Sequence, residues 1–219
     1  MSVSDLELAQ LLCTRLCHDL AGPIGAVAAG VELIGDDPAM ADAETIGLIG
    51  DSSSAASRKL KFMRAALGLA QNSSGDLKTL VDGYVASASG PSAQIGVTWP
   101  SSAAFDKASR AFGSSWSQAF LNLFLLALEA QPGCRALDVA IDTAAAVTVT
   151  ITARTAPGRT VNSREDLRAA AVADGGAELS AKTVQAYFTG RMIRAAGGTL
   201  TLSLLTDGVS VAAAVPAAP

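Results

Sequence analysis

Of 219 residues only one is a histidine, three are cysteines, and 16% carry charge. Set against 50% hydrophobic residues, so little charge excludes an intrinsically disordered chain. What remains is a globular protein able to bury one good core or two small ones. No cluster of Lys and Arg forms a phosphate track and the formal net charge is −4, which argues against nucleic acid as a partner. The acidic stretch over residues 1–10 lacks the basic n-region of a secretory signal. The most apolar segment, residues 119–130, is short for a bilayer and is interrupted by Asn122 and Glu129. A cytoplasmic protein with no membrane partner is therefore expected. Cys13, Cys17 and Cys134 are an odd set without a C-x-x-C pattern. Cys13 and Cys17 beside the lone histidine invite a zinc reading, but His18 lies about 100° round the helix from Cys17 and a fourth ligand is missing. No metal site is expected, and the thiols read as buried, reduced and hydrophobic.

The single histidine, His18, sits in the stretch LLCTRLCHDLAGPIG, residues 11–25. Cys13, Leu16, Leu20, Pro23, Val27 and Ile34 recur at helical spacing, close to a heptad seam. His18 is two positions from Leu16 and two from Leu20, so it falls roughly 200° from each, on the outer face. Thr14 and Arg15 lie one turn before it, Ala21 and Gly22 one turn after, and Gly25 two turns after. Such small neighbours leave room for a large partner to approach the imidazole. Pro23 cannot donate a hydrogen bond to the Asp19 carbonyl, so a loosened turn is expected beside the His18–Asp19 pair.

The first helix is expected over residues 4–34, followed by a turn over 35–38 with Asp37 as a cap and Pro38 at a first helical position. Ile46, Ile49, Ser53, Ala56, Leu60, Met63, Leu67 and Ala70 then alternate spacings of three and four, with Arg58, Lys59, Lys61 and Arg64 outside that seam. Two long helices joined by a short turn make an antiparallel hairpin, which cannot cover both of its own stripes. The economical solution is a second copy, giving a homodimeric four-helix bundle; the alternative is a hairpin packed only on the domain that follows. Asn72-Ser73-Ser74-Gly75 marks the boundary, so residues 1–75 form the helical domain and 76–219 a second one. There, helices are expected over 76–88, 114–131, 163–172 and 180–196, and strands over 94–99, 136–142, 146–154, 199–205 and 209–215. Antiparallel strands in this order make an α/β sandwich with helices on one face of one sheet.

His18-Asp19-Leu20-Ala21-Gly22-Pro23 resembles the H-[DE]-L-x-x-P phosphoacceptor box in the dimerisation helices of sensor histidine kinases. The longer string RLCHDLAGPIGAVAAGVELI, residues 15–34, is closer still to the ChpT-type histidine phosphotransferases. The element order of the second domain is similar to the ATP-binding domain of those kinases. Gln118-Ala-Phe-Leu-Asn122-Leu123 resembles the start of the kinase N-box, and Arg194-Ala-Ala-Gly197-Gly198-Thr199-Leu200 resembles its late helix-to-strand turn. The positions that carry nucleotide chemistry differ. The second N-box asparagine is Leu126, and the adenine-reading aspartate falls near Arg154. The D-x-G-x-G box is at most Arg154-Thr-Ala156-Pro-Gly158, and the glycine loop is replaced by Glu178-Leu-Ser-Ala-Lys182-Thr. Leucine cannot ligate magnesium and arginine cannot accept a bond from an amino group, so ATP binding is not expected.

The resemblance implies an α + α/β fold: a hairpin dimerising into a four-helix bundle, then a histidine-kinase-ATPase-like sandwich. It implies that His18 accepts a phosphoryl group from an aspartyl phosphate on the receiver domain of a hybrid kinase and passes it to the receivers of response regulators. The chain would carry no cofactor, the Mg2+ belonging to the receiver. Asp19 would orient the imidazole or accept its proton, and Arg15 would neutralise phosphate charge or else be an ordinary solvated arginine. Gly22 replaces a polar residue of bifunctional kinases, which implies weak phosphatase activity. Receivers would dock on Thr14, Ala21, Gly22, Gly25 and the outer side of the second helix around Ser57 and Lys61. A divergent kinase and a non-catalytic receiver-binding adaptor are the alternatives.

Overall fold

The computed structural model describes residues 3–68, 74–88, 94–161, 163–173 and 179–216. Expectations that fall on Ala70, Asn72, Ser73 and Glu178 lie outside them. Helix α1 (Asp5–Asp36) begins at Ser4, whose hydroxyl accepts from the Glu7 amide at 3.1 Å. Gly35 and Asp36 prolong it past the expected end. Asp37 caps only a short 3₁₀ turn (Pro38–Met40), accepting from the Ala39 amide at 3.0 Å. Helix α2 (Ala43–Leu67) has a cap of its own, Asp42, bonded to the Thr45 amide at 2.8 Å.

The helices run antiparallel: Gly30 meets Ile49, and the Asp19 carbonyl meets Lys59. A Cβ at residue 30 would stand 2.5 Å from Ile49 Cγ1, so Gly30, and not the exposed Ser53, sets the closeness of approach. On α1, Leu16, Leu20, Pro23, Val27 and Ile34 are half-buried as their spacing requires. Cys13 departs from that seam. It is exposed, as is Cys17, and only Cys134 is buried, which corrects the expectation of three buried thiols. On α2, Met63 is buried while Ile46, Ser53 and Leu60 stay exposed, so three of the seven described seam positions have no cover within one chain. Phe62, outside that seam, is fully buried and stacks 4.3 Å from Tyr84 and 6.5 Å from Phe124. It anchors the hairpin to the rest of the chain. Phe62→Ala is expected to cost about 3–5 kcal/mol, read from denaturant unfolding.

The rest of the chain runs α3 (Ser74–Ala88), β1 (Gly96–Thr98), α4 (Ser102–Phe112), α5 (Trp116–Ala130), β2 (Ala136–Asp142), β3 (Ala146–Arg154), α6 (Glu165–Val172), α7 (Val184–Ala195), β4 (Thr199–Leu204) and β5 (Gly208–Pro216). The sheet order is β1-β2-β3-β5-β4. All neighbours are antiparallel except β1 and β2, which are parallel because α4 and α5 carry the chain across between them. Helix α4 is absent from the sequence expectations. Its cap Ser101 and terminal Gly113 (φ +57°) were visible, but only Phe105, Ala108 and Phe112 form its buried stripe, too few to stand out. Helix α5 lies against β3 and β5 and is buried on nearly every side, which is why it reads as one continuous apolar run. By length and composition alone, Asp5–Asp36 and Ser102–Ala130 are long and apolar enough to cross a bilayer. The second of these is largely core.

Candidate active site

The imidazole of His18 projects from α1 with its side chain 85% exposed. Its Nδ1 stands 3.4 Å from Asp19 Oδ1. A carboxylate can only accept, so this contact is a hydrogen bond only in the tautomer with the proton on Nδ1, which leaves the lone pair on Nε2. Asp19 in turn accepts from Arg15 Nε, one turn earlier on α1, at 2.9 Å through its other oxygen.

Arg15 does not point into solvent. It is 17% exposed; its Nη2 donates to Glu129 Oε1 near the end of α5 at 2.6 Å, and its Nη1 to the Ala181 carbonyl ahead of α7 at 3.4 Å. The alternative expectation of an ordinary solvated arginine does not describe it, since its guanidinium is paired with two carboxylates. Burial by itself would lower the guanidinium pKa, but Glu129 and Asp19 together more than offset this and raise it, so Arg15 is permanently charged. Burial pushes the Glu129 carboxyl above its ordinary value, and Arg15, shared with Asp19, offsets only part of that. Glu129 had appeared in the sequence only as a break in an apolar helix. That break was the signal.

A raised folded-state pKa makes the folded chain bind the Glu129 proton more tightly than the unfolded chain does. The resulting stability is complete below the ordinary value of 4.5 and is lost as pH rises through the folded value. The charged groups facing this carboxyl are Arg15, Asp19 and Arg164. Glu129→Gln should flatten that part of the stability–pH curve, measured as urea midpoints across the acid range.

The amide that Pro23 lacks leaves the Asp19 carbonyl open, and Lys59 Nζ from α2 occupies the vacancy at 3.5 Å. Lys59 is thus a second cation beside the pair, one the heptad register had set aside, while Ser57 and Lys61 are exposed. Thr14 turns its hydroxyl back to the Gln10 carbonyl at 2.9 Å. Ala21, Gly22 and Gly25 are exposed, and a Cβ at either glycine would meet nothing within 4 Å. The surface next to His18 is therefore open. Between α1 and the sheet-bearing part runs a cleft of about 470 Å³ lined by His18, Arg15, Asp19, Glu129, Arg164 and Lys182.

The residues at nucleotide-site positions are engaged elsewhere. Asn122 is fully buried; its Nδ2 donates to the Ala66 and Gln118 carbonyls at 2.7 Å each, and its Oδ1 accepts from Gln185 Nε2. Arg154 bonds Asp138 at 2.5 Å and Asp207 at 2.6 Å, tying β2 and β3 to the turn before β5. Leu126 is in the core. Asn122 and Arg154 thus spend their polar atoms on other protein groups, and Leu126 offers none. Among the described residues no group of three or more His, Cys, Asp or Glu is placed to hold a metal ion.

Residues 74–207 match the family model of the histidine phosphotransferase C-terminal domain, which is more than half of the chain. The chain belongs to the histidine phosphotransferase family. Within this histidine phosphotransferase, the matched residues include Glu129, Asn122 and the whole of α3 to β4, and His18 lies outside them on the hairpin. The chain is also similar to the protein phosphotransferase ChpT of Brucella abortus (strain 2308), 37% identical over 89 residues. That match takes in 38% of this chain and 42% of the relative, so it spans less than half the relative's length. A solved structure of a bacterial phosphotransferase superimposes with a TM-score of 0.75 at 25% identity, over 97% of this chain and 98% of that one.

Proposed function

We propose that this protein is a phosphorelay carrier: His18 takes a phosphoryl group from the aspartyl phosphate of one receiver domain and passes it to the aspartate of another. The donor would belong to a hybrid histidine kinase and the acceptors to response regulators. The observation that carries the reading is the exposed imidazole with Nδ1 against Asp19 and Nε2 free. The Nε2 lone pair forms the N–P bond while the P–O bond to the receiver's carboxyl breaks; that carboxylate keeps the electron pair, and Asp19 holds the Nδ1 proton. Reversal onto a second receiver restores the neutral imidazole. Mg2+ would be the receiver's, and no cofactor is needed on this chain. ATP plays no part, a reading supported by the engagement of Asn122 and Arg154 and the burial of Leu126.

Receivers dock on the open surface of Ala21, Gly22 and Gly25, with Thr14 at its edge. A second copy covers the apolar stripe of the hairpin, supported by Ile24, Val31, Ile46 and Leu60, each at least 50% exposed in one chain. Ile24→Asp combined with Val31→Asp is expected to yield a folded monomer by light scattering. The direct test is incubation with a phosphorylated receiver domain followed by chemical analysis of the product. Acid-labile, base-stable phosphate on this chain is expected. Receiver binding without such transfer would sink the carrier reading in favour of an adaptor.

A further inference from the structure

Glu129 sits 114 residues along the chain from Arg15, yet the two form the shortest ion pair at the site, 2.6 Å. Its Oε2 is buried without a hydrogen-bond partner, a costly place for a carboxylate. The other end of the Arg15 guanidinium holds Asp19 Oδ2 at 2.9 Å, and Asp19 Oδ1 faces His18 Nδ1 at 3.4 Å. An exposed imidazole next to an unanchored carboxylate has no reason to keep one orientation. A carboxylate pinned through one oxygen presents the other in a single direction. Arginine is long and flexible, and it can pin Asp19 only if its far end is fixed as well; Glu129 and the Ala181 carbonyl fix it.

We infer that Glu129 is a positioning residue for phosphoryl transfer: it anchors Arg15, and through Arg15 it holds Asp19 against Nδ1 of His18. The inference rests on the carrier function proposed above. It gives the sheet-bearing part of the chain a share in the phosphoacceptor site through α5. Any movement that parts α1 from α5 would release Asp19 and slow the transfer.

Two readouts on the full chain test this. One is the single-turnover rate of transfer from a phosphorylated receiver domain at saturating receiver. The other is the tautomer of the imidazole by nitrogen NMR, unambiguous because His18 is the only histidine. Glu129→Ala is expected to slow transfer about tenfold, a displaced neighbour of the reacting group costing up to about a hundredfold, and to erode the Nδ1–H preference. Arg15→Met should do the same, and the double variant should be no slower than either single one, since Glu129 acts only through Arg15. Glu129→Gln keeps the shape and can still accept from Arg15, so it should lose about threefold; it carries the test if the alanine variant does not fold. Wild-type rate and tautomer in either Glu129 variant, or additive losses in the double, would overturn the inference. Failure of the wild type to label at all would instead remove the carrier function, while the tautomer comparison still decides what Glu129 does.

Discussion

Replacing His18 with glutamine abolishes phosphoryl transfer to this chain from any phosphorylated receiver domain. Glutamine keeps length and polarity but offers no nucleophilic ring nitrogen, and its amide lone pair is delocalised into the carbonyl. As the only histidine, His18 has no substitute elsewhere in the sequence. The loss should exceed about a thousandfold, since the residue that receives the group cannot be replaced by orientation or charge alone. Stability should be nearly untouched, within about 0.5 kcal/mol, because an exposed side chain with one long contact contributes little to folding. Asp19→Asn is the graded companion. An amide nitrogen turned toward Nδ1 would favour the other tautomer, so the chain should still label but about a hundredfold more slowly. Full labelling of the glutamine variant would place the acceptor elsewhere.

Gly190→Ala should destabilise the chain by about 3 kcal/mol, the upper end of ordinary overpacking. Gly190 lies on α7 where it crosses α6, and a Cβ there would overlap the Ala171 carbonyl oxygen, a backbone atom with no rotamer to move into. The same carbonyl accepts from Arg194 Nη1 at 2.9 Å, and Ala173 O accepts from Nη2 at 2.7 Å, so α6 cannot shift without breaking its own C-terminal bonds. For a chain of this size the loss corresponds to a fall in Tm of roughly 6–12 °C. Gly47→Ala is the opposing control: it is an exposed position inside α2 where a Cβ would meet nothing within 4 Å, so it should gain about 0.5–1 kcal/mol. A neutral Gly190→Ala in calorimetry would mean that α6 and α7 are not packed as described.

The two long helices, the apolar α5, the strands β2 to β5 and the outward phase of His18 were legible in the sequence because each rests on local periodicity. Helical phase alone separates His18 from Leu16 and Leu20. Capping chemistry was legible too: Asp37 caps a 3₁₀ turn that opens on Pro38, while α2 takes a further cap, Asp42, five residues on. The parallel pairing of β1 and the short stripe of α4 carried no comparable periodic trace.

Sequence by itself determined that this chain presents its one imidazole, next to a carboxylate and close to a proline, on the open side of a helix. Tertiary structure alone decided what stands behind it: Glu129 at the far end of Arg15, Lys59 over the Asp19 carbonyl, and Asn122 joining Ala66 to Gln185. These pairs are separated by 40 to 114 residues, and their meeting depends on how the hairpin closes on itself, how α5 meets α7 and how the hairpin packs against the sheet-bearing part. No spacing within either segment encodes that. A lone buried carboxylate announces that it has a partner, and only packing names it.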